Sequence, residues 1–405
     1  MSIEIDREKN IIRRRSVPTN IFDYFKDKGL HFPPEVLSRY VLSLYSKPFV
    51  ILTGISGTGK TKIAQLFADY ICQDLSDEER KKRVAFVSVR PDWMDNRGLL
   101  GYYNPLNTRY HATPVLRLLL NARAHPEHAY FIILDEMNLA KVEYYFADFL
   151  SIMESRTDTK SEGEPLQLHE LKNDVAAHGD EMLKIPAQLC IPPNVCFTGT
   201  VNVDETTYMF SPKVLDRAFV IEFNEIDLEG YAKLVSTPKQ NKAFELSNGD
   251  VLTLFSEVQA EPFCSQKDYL RVIENSFNFD PVQDLLNRLE RYHMHFGYRV
   301  INELSRFLWV AQKYIGNCKE DTDTALDLGI LQKVLPKFHG TRARLEKPLQ
   351  DVLMFCYSKR ADDYDKKLLE PAEKFDTNAR FPRSAQKCAR MLRTLDEQGY
   401  TSFIE

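Results

Sequence analysis

The sequence predicts an α/β fold in which a parallel sheet, covered by helices, is followed by a mostly helical second domain. In the first half of the chain, continuously apolar runs of strand length alternate with segments of helical spacing, as in sheets buried on both faces. Beyond residue 226 only the helical spacing remains. The 405 residues exceed one ordinary domain, and we predict an N-terminal helical extension (1–46), a large α/β domain (47–226) and a helical part (227–405).

Composition excludes several classes of protein. Hydrophobic residues make up 43% and charged residues 27%, as in ordinary globular proteins rather than disordered or fibrous ones. A formal net charge of -5 argues against a surface that coats nucleic acid. We find no apolar run long enough to cross a bilayer and no CxxC pair among the 7 cysteines, so we expect a reduced, soluble, cytoplasmic protein without membrane contact or a zinc site.

The predicted elements follow in a regular order. Apolar runs predict strands at 48–54, 84–89, 130–134, 195–201 and 219–223. Helical spacing predicts helices at 34–46, 63–71, 114–123 and 141–154, and later at 281–293, 299–315, 323–335, 344–357 and 383–397. Two polar, turn-rich segments, 97–113 and 155–184, interrupt this alternation, the first where a covering helix is expected.

A phosphate-binding motif joins the first strand to its helix. Residues 54–61 read GISGTGKT and match the pattern G-x-x-x-x-G-K-[ST] in the strand–loop–helix context that its mechanism requires. Glycines allow backbone N–H groups to surround phosphates at a helix N-terminus. The predicted nucleotide-binding residues are Gly54, Gly57, Thr58, Gly59, Lys60 and Thr61, with Lys60 on the β- and γ-phosphates and the Thr61 hydroxyl on Mg²⁺.

Two carboxylates follow the strand at 130–134. Asp135 and Glu136 stand at its carboxyl end, the edge at which open parallel sheets bind ligands. An apolar run that ends in Asp-Glu is common by itself, and it becomes specific downstream of a phosphate loop. We therefore predict that Asp135 holds Mg²⁺, through water, and that Glu136 polarises the attacking water.

These motifs resemble those of the AAA+ ATPases. The segments DEMNLAKVEYYFADFL, FTGTVNVDE and FSPKVLDRAFVIEF are similar to the McrB branch, the motor subunits of modification-dependent restriction systems, with MoxR-type chaperones as near relatives. The resemblance covers residues 46 to 225 well and the helical remainder loosely. It implies a helical lid after the α/β domain, a ring, here taken as a hexamer, and inserts that face its pore.

The resemblance also implies roles for three further residues. Asn202 corresponds to sensor 1, which positions the water, and Arg217 to the arginine finger, which acts in trans on the neighbouring subunit's nucleotide. The alternative for Arg217 is a surface pair with Asp216. Arg299 corresponds to the sensor 2 arginine of the lid, reaching across to the same phosphates, with Arg342 and Arg344 as competing candidates.

The choice of base stays open. McrB proteins carry an MNTADR signature and prefer GTP, whereas this chain reads VNVDET after its sensor strand and lacks the arginine. The NKxD-type guanine motif is absent as well, so we favour ATP and keep GTP as the alternative. Only 53 residues precede Gly54, from which we expect recognition of DNA bases to lie in another chain or not to occur.

The first insert carries interleaved aromatic and basic residues. These are Tyr102, Tyr103, Arg109, Tyr110 and His111. In a ring they would grip a DNA strand or a partner's segment, and in a monomer they would pack on their own helices.

Three hypotheses follow. The first is a ring-forming NTPase motor of a restriction or anti-phage defence complex with an McrC-like nuclease subunit, in which DNA is met only indirectly or through the pore. The second is a MoxR-like chaperone that remodels protein without DNA. The third is a nucleotide-switched scaffold that binds nucleotide and scarcely turns it over.

Overall fold

The computed structural model describes residues 3–6, 11–14, 20–30, 32–155, 163–203, 208–223, 263–275, 277–316, 318–370, 376 and 378–404, with the backbone alone for 3–6 and 11–14. The strands are β1 (Ile3–Asp6), β2 (Ile11–Arg14), β3 (Phe49–Gly54), β4 (Val84–Ser88), β5 (Gly101–Asn104), β6 (Arg109–Ala112), β7 (Tyr130–Asp135), β8 (Leu166–Gln167), β9 (Val175–Ala177), β10 (Asp180–Ile185), β11 (Gln188–Leu189), β12 (Val195–Asn202), β13 (Phe219–Glu222), β14 (His339–Thr341) and β15 (Tyr400–Ser402).

The helices make up most of the second half. They are α1 (Ile21–Asp27), α2 (Pro34–Ser46), α3 (Lys60–Ile71), α4 (Asp77–Arg83), α5 (Arg97–Leu100), α6 (Pro114–Ala124), α7 (Val142–Tyr145), α8 (Ala147–Ser155), α9 (Pro212–Leu215), α10 (Gln266–Glu274), α11 (Asp280–Glu290), α12 (Tyr298–Tyr314), α13 (Lys319–Gly329), α14 (Arg342–Cys356) and α15 (Pro382–Gln398). A π-helical turn, Ile330–Val334, continues α13.

The central sheet contains five parallel strands in the order β13-β3-β12-β7-β4. Its middle strands consist of apolar residues that are buried along their length, as expected for a sheet with helices on it. The register pairs Gly54 with Asn202, and Leu134 with Gly199. The carboxyl ends of β3, β7 and β12 therefore lie at one edge of the sheet, and the polar residues that follow these strands meet there.

The segments predicted to be irregular form a small second sheet. β5 and β6 pair as a hairpin, β9 and β10 pair antiparallel, and β6 joins β9 in parallel through Tyr110 and Ala177. Part of the second segment, 156–162, lies outside the described residues. The two inserts, distant in sequence, thus pack as one unit beside the central sheet.

The mostly helical second part is confirmed, and its five predicted helices lie within a few residues of the predicted bounds, whereas α10 was not predicted. Pro382 in the first turn of α15 and Gly399 in the left-handed conformation after it mark the ends of that helix. A short antiparallel pair, β14 with β15, was not predicted. Residues 224–262, which include the start of the predicted helical part (227–405), lie outside the described residues. None of the described helices is long and apolar enough to span a membrane.

The N-terminal segment differs from the predicted helical extension. β1 and β2 pair antiparallel, and helical structure begins only with α1 and α2. α2 packs against β3, β13 and the lid helix α12. Its residues are buried almost without exception, because it lies between the sheet and the helical half.

Candidate active site

The phosphate loop connects β3 to α3. Gly54, Gly57 and Gly59 have φ angles of 153°, 83° and 93°, which favour glycine over residues with a side chain. The Thr58 hydroxyl donates to the Ile55 carbonyl at 3.1 Å and closes the turn. A Cβ at Gly59 would also lie 3.0 Å from the Phe32 ring. The loop therefore presents backbone N–H groups at the N-terminus of α3, which is a favourable place for phosphate.

Lys60 is buried, and its ammonium lies within the loop. Its Nζ donates to the carbonyls of Gly54 at 2.9 Å and Ile55 at 2.6 Å. A phosphate oxygen offers a charged acceptor in exchange for these neutral carbonyls, and charge-assisted bonds are the stronger ones. The lysine is therefore already aimed at the centre of the loop.

A chain of hydrogen bonds links the loop to the two carboxylates. The hydroxyls of Thr61 and Thr200 donate to Asp135 Oδ1 at 2.7 Å and 2.8 Å. Thr200 Oγ1 in turn accepts the backbone N–H of Glu136 at 3.0 Å. Asn202 Nδ2 donates to Glu136 Oε1 at 3.2 Å. The structure thus brings together the predicted residues of the loop, the acidic pair and the sensor strand.

Glu136 has a strained backbone. Its φ of 53° lies in the left-handed region, which is rare for residues other than glycine, asparagine and aspartate. Such strain persists when neighbouring groups fix the conformation. Thr200 holds its N–H, and the next residue, Met137, packs so closely on Gly199 that a Cβ there would lie 2.5 Å from its sulfur. These contacts direct the carboxylate of Glu136 towards Asn202.

The oxygens of Thr61 and Asp135 suit Mg²⁺ bound together with a nucleotide. Within the described part of the chain, no three histidine, cysteine, aspartate or glutamate side chains cluster as a complete metal site. Mg²⁺ is commonly held by one or two protein groups, with phosphates and water as its other ligands. One hydroxyl and one carboxylate, already hydrogen-bonded at 2.7 Å, match that requirement.

The two predicted arginines lie elsewhere. Arg217 and Arg299 both pair with Glu154 at the end of α8, Arg299 at 2.6 Å. A cavity of about 310 Å³ lies beside them, and among its lining residues are Glu154, Arg299 and Pro48, which precedes β3. The arginines are therefore at the amino end of the sheet. β3 has 6 residues, so its two ends are roughly 16 Å apart.

These positions decide between the alternatives raised by the sequence. Asp216 does not pair with Arg217, because its carboxylate contacts Arg299 and Lys337 instead. Arg299 pairs with Glu154 and Asp216, away from the phosphate loop of its own chain, and its contact with phosphates stays a prediction. Arg217 also donates to the Lys213 carbonyl at 3.0 Å.

The competing candidates Arg342 and Arg344 begin α14. Arg342 pairs with Glu346 at 3.0 Å and Asp396 at 2.6 Å, and Arg344 is exposed. Both follow β14, whose His339 lines a second cavity, of about 160 Å³, together with Asn202. They are thus nearer than Arg299 to the sensor strand of their own chain. Residues 204–207, which include the last three residues of the VNVDET stretch, lie outside the described residues.

The insert residues divide between burial and exposure. Tyr110 is buried in the small sheet, whereas Tyr102 is 48% exposed and stacks on His111 with ring centroids 5.0 Å apart. His111 stacks further on His178 at 4.5 Å. Arg109 pairs with Glu181 at 2.5 Å across the two hairpins. Part of this set therefore stabilises the insert itself.

Comparison with known families agrees with this geometry. Residues 49–219 match the model of the AAA domain, dynein-related subfamily. The chain carries an AAA+ ATPase domain. This domain is similar to the type IV methyl-directed restriction enzyme EcoKMcrB subunit of Escherichia coli strain K12, with 26% identity over 201 residues, 49% of this chain. The aligned part spans 39% of that protein's length. The resemblance to the McrB branch is confirmed.

Two further similarities concern the rest of the chain. Residues 258–400, in the helical part that follows the AAA+ domain, match the model of a domain of unknown function (DUF8727). The crystal structure of a putative ATPase from Cytophaga hutchinsonii aligns over 78% of this chain and 84% of that chain, with 15% identity and a TM-score of 0.41. That similarity is too low to support an argument.

Sequence reasoning missed several residues that organise the AAA+ site. Thr200 carried a usable signal, because Thr198, Thr200 and Asn202 alternate along β12 and so share one face of the strand. Glu154 carried none, since only the folded chain brings the end of α8 to Arg217 and Arg299.

Proposed function

We propose that this protein is a ring-forming AAA+ NTPase motor, which hydrolyses ATP, with GTP as the alternative, at the interfaces between subunits. The observation that carries the proposal is the separation of the two halves of the site. The phosphate loop and carboxylates lie at the carboxyl ends of the strands, and Arg217 lies at the amino end beside Glu154. A single chain cannot bring them together, whereas a neighbouring copy can supply the arginine.

In the proposed site each residue has a defined task. The loop N–H groups and Lys60 bind the phosphates, and Thr61 and Asp135 hold Mg²⁺. When bound, Mg²⁺ neutralises charge on the phosphate oxygens. Glu136 orients the attacking water and accepts a proton from it, and Asn202 keeps the Glu136 carboxylate in place through their 3.2 Å bond. The water then approaches the γ-phosphate from a fixed direction.

The arginines act on the neighbour's nucleotide. Arg217 would leave Glu154 and contact the γ-phosphate of the adjacent subunit, where it stabilises the charge that develops as the phosphate leaves. Arg299 shares Glu154 with it and so belongs to the same face. In the single chain the Glu154 carboxylate forms ion pairs with both guanidinium groups. In the ring an anionic phosphate oxygen would take its place.

The biological setting is proposed from the relative's name. The E. coli relative is a subunit of a methyl-directed restriction enzyme. We propose by analogy that this chain serves a restriction or anti-phage defence complex, with a nuclease subunit as partner and DNA met only through that partner or the ring pore. Copurification with an endonuclease subunit tests the partner, and recovery with a non-nuclease protein substrate instead would contradict it.

A mixing experiment tests the shared site. Lys60→Ala removes a chain's own phosphate binding but leaves its Arg217, and Arg217→Ala does the reverse. Each variant alone should hydrolyse nucleotide about 10³-fold more slowly or worse, since removal of an arginine finger usually has at least this effect. Their mixture should recover activity well above the sum of the two, because one chain completes the other's site. Absence of recovery from variants that still co-assemble would overturn the proposal.

The same assay addresses the nucleotide. Rates for ATP and GTP are measured side by side over a range of protein concentrations. We expect ATP to be the better substrate and the rate per chain to rise with concentration until assembly is complete. A higher kcat/KM for GTP would reverse the base assignment and leave the shared site unaffected.

A further inference from the structure

A buried lysine holds the segment that carries Arg217. Lys333 has no exposed surface and lies in the π-helical turn Ile330–Val334. Its Nζ donates to the carbonyl of Asp216 at 2.8 Å and to that of Ala218 at 3.1 Å. The residues on either side of Arg217 are thus bound by one ammonium group.

The third partner of Lys333 links this segment to the lid. Glu303 Oε2 forms an ion pair with Lys333 Nζ at 2.5 Å, and the other oxygen of Glu303 accepts from Lys47, two residues before β3. Glu303 stands one turn after Arg299 on α12, so the side chains of these two residues lie on the same helix face. Lys333 therefore connects the Arg217 segment to the helix that carries Arg299 and, through Glu303 and Lys47, to the start of β3.

A contribution to stability is by itself a weak explanation for the presence of a buried lysine at position 333. Burial lowers the pKa of Lys333 to about 7, against the opposing effect of Glu303. Buried ion pairs are often replaced by apolar residues without loss of stability, because the cost of removing charge from water is large. The contacts of Lys333 with backbone are directional, and they hold the peptide plane that precedes Arg217 and the one that follows Ala218.

We propose that Lys333 is a positioning residue for the arginine that acts in trans, orienting the backbone on both sides of Arg217 so that its guanidinium points to the neighbouring subunit's nucleotide. This inference rests on the proposed shared site. It concerns only the chain that donates the arginine, because the polar contacts of Lys333 in the described structure are with Asp216, Ala218 and Glu303, and not with the phosphate loop or the acidic pair 135–136. That asymmetry makes it testable separately from the shared site.

The test places Lys333→Met on one side of the mixed interface at a time. In the donor arrangement, a chain that carries both Lys60→Ala and Lys333→Met is mixed with a chain that carries Arg217→Ala. In the acceptor, Arg217→Ala with Lys333→Met is mixed with Lys60→Ala. We expect the donor arrangement to lose about 10- to 100-fold of the recovered rate, since misplacement by about 1 Å has such effects. The acceptor arrangement should retain the recovered rate.

The controls separate positioning from damage to the fold. Lys313→Met changes an exposed lysine on α12 and should leave both arrangements unaffected. Equal losses in the two arrangements, or none in the donor, would overturn the role of Lys333. No recovery even without Lys333→Met would instead overturn the shared site. Should Lys333→Met fail to fold, Lys333→Leu, which also removes the donor to both carbonyls, is judged by the same donor-only criterion.

Discussion

Thr200 connects Asp135, the proposed metal ligand, to Glu136, the proposed activator of water. Its hydroxyl donates to Asp135 at 2.8 Å and accepts the N–H of Glu136 at 3.0 Å. We expect Thr200→Val to lower kcat about tenfold or more, because the strained Glu136 loses its fixed orientation, and to cost about 1–3 kcal/mol for an unsatisfied N–H. Steady-state hydrolysis and nucleotide affinity, measured on the same preparation, check this.

The matched control is Thr198→Val, two residues earlier on the same face of β12. The Thr198 hydroxyl bonds to Tyr40, away from the carboxylates, at 2.9 Å. That variant should lose stability and keep its kcat. If both variants lower kcat equally, Thr200 contributes to β12 as a whole rather than to the site.

Glu136 distinguishes a motor from a nucleotide-switched scaffold. Glu136→Gln keeps the side-chain volume and removes the base, so hydrolysis should fall about 10²- to 10⁴-fold while nucleotide binding persists. Phosphate release and equilibrium binding of a labelled nucleotide measure the two effects. A biological function that survives the variant unchanged would favour the scaffold.

At this scale the motif residues were predictable and their supports were not. Lys60, Thr61 and Asp135 belong to local patterns whose chemistry is fixed by spacing. Glu154 and Lys333 act through contacts with residues more than sixty positions away along the chain. A single sequence contains no local pattern that reveals such pairs.

Among the elements, the strands of the central sheet were predicted to within a residue or two, since each is a continuous apolar run. The insert sheet was missed. Its strands are only three to six residues long, and β6 and β9 pair across a wide sequence separation. The helix predicted at 141–154 is two helices, α7 and α8, and that predicted at 323–335 ends in a π-helical turn. Apolar spacing does not report such changes of backbone hydrogen bonding.

Close approach of β12 to the segment after Glu136 depends on Gly199. A Cβ there would lie 2.5 Å from Met137 Sδ, so Gly199→Ala must displace Met137 and should cost about 1–3 kcal/mol. Urea unfolding measures this cost. Gly297→Ala is the control, because a Cβ there meets nothing within 4 Å, so its effect on stability should be smaller than that of Gly199→Ala. Equal effects would show that close packing at Gly199 is unimportant.

For the whole molecule, the two ends of the central sheet have different tasks. The carboxyl end carries the phosphate loop and Glu136, the proposed catalytic carboxylate. The amino end carries both arginines and the buried ion pairs that join the AAA+ domain to the helical half. A displacement of the lid helix α12 would therefore move Arg299 directly, and the Arg217 segment through Glu303 and Lys333. In the proposed ring, the position of the lid would thus be coupled to the arginines that act on the neighbouring subunit.

That junction should weaken in acid. Burial raises the pKa of Glu303, but Lys333 and Lys47 outweigh it and lower the pKa to about 2. A carboxylate with a lowered folded-state pKa stabilises the fold above its ordinary pKa of 4.5, and this contribution disappears as the pH falls from 4.5 towards 2. The full shift corresponds to roughly 3 kcal/mol.

The prediction is tested as a difference between proteins, since other carboxylates also titrate in this range. Unfolding free energies of the unmodified protein and of Glu303→Gln are compared in urea at pH 7, 5 and 3.5. The advantage of the unmodified protein should be largest at pH 7 and shrink below 4.5, as its carboxylate is protonated and comes to resemble the amide. Glu290→Gln, at an exposed site on α11, should show no such trend. A constant advantage of Glu303 down to pH 3.5 would mean that its ion pairs do not carry the junction.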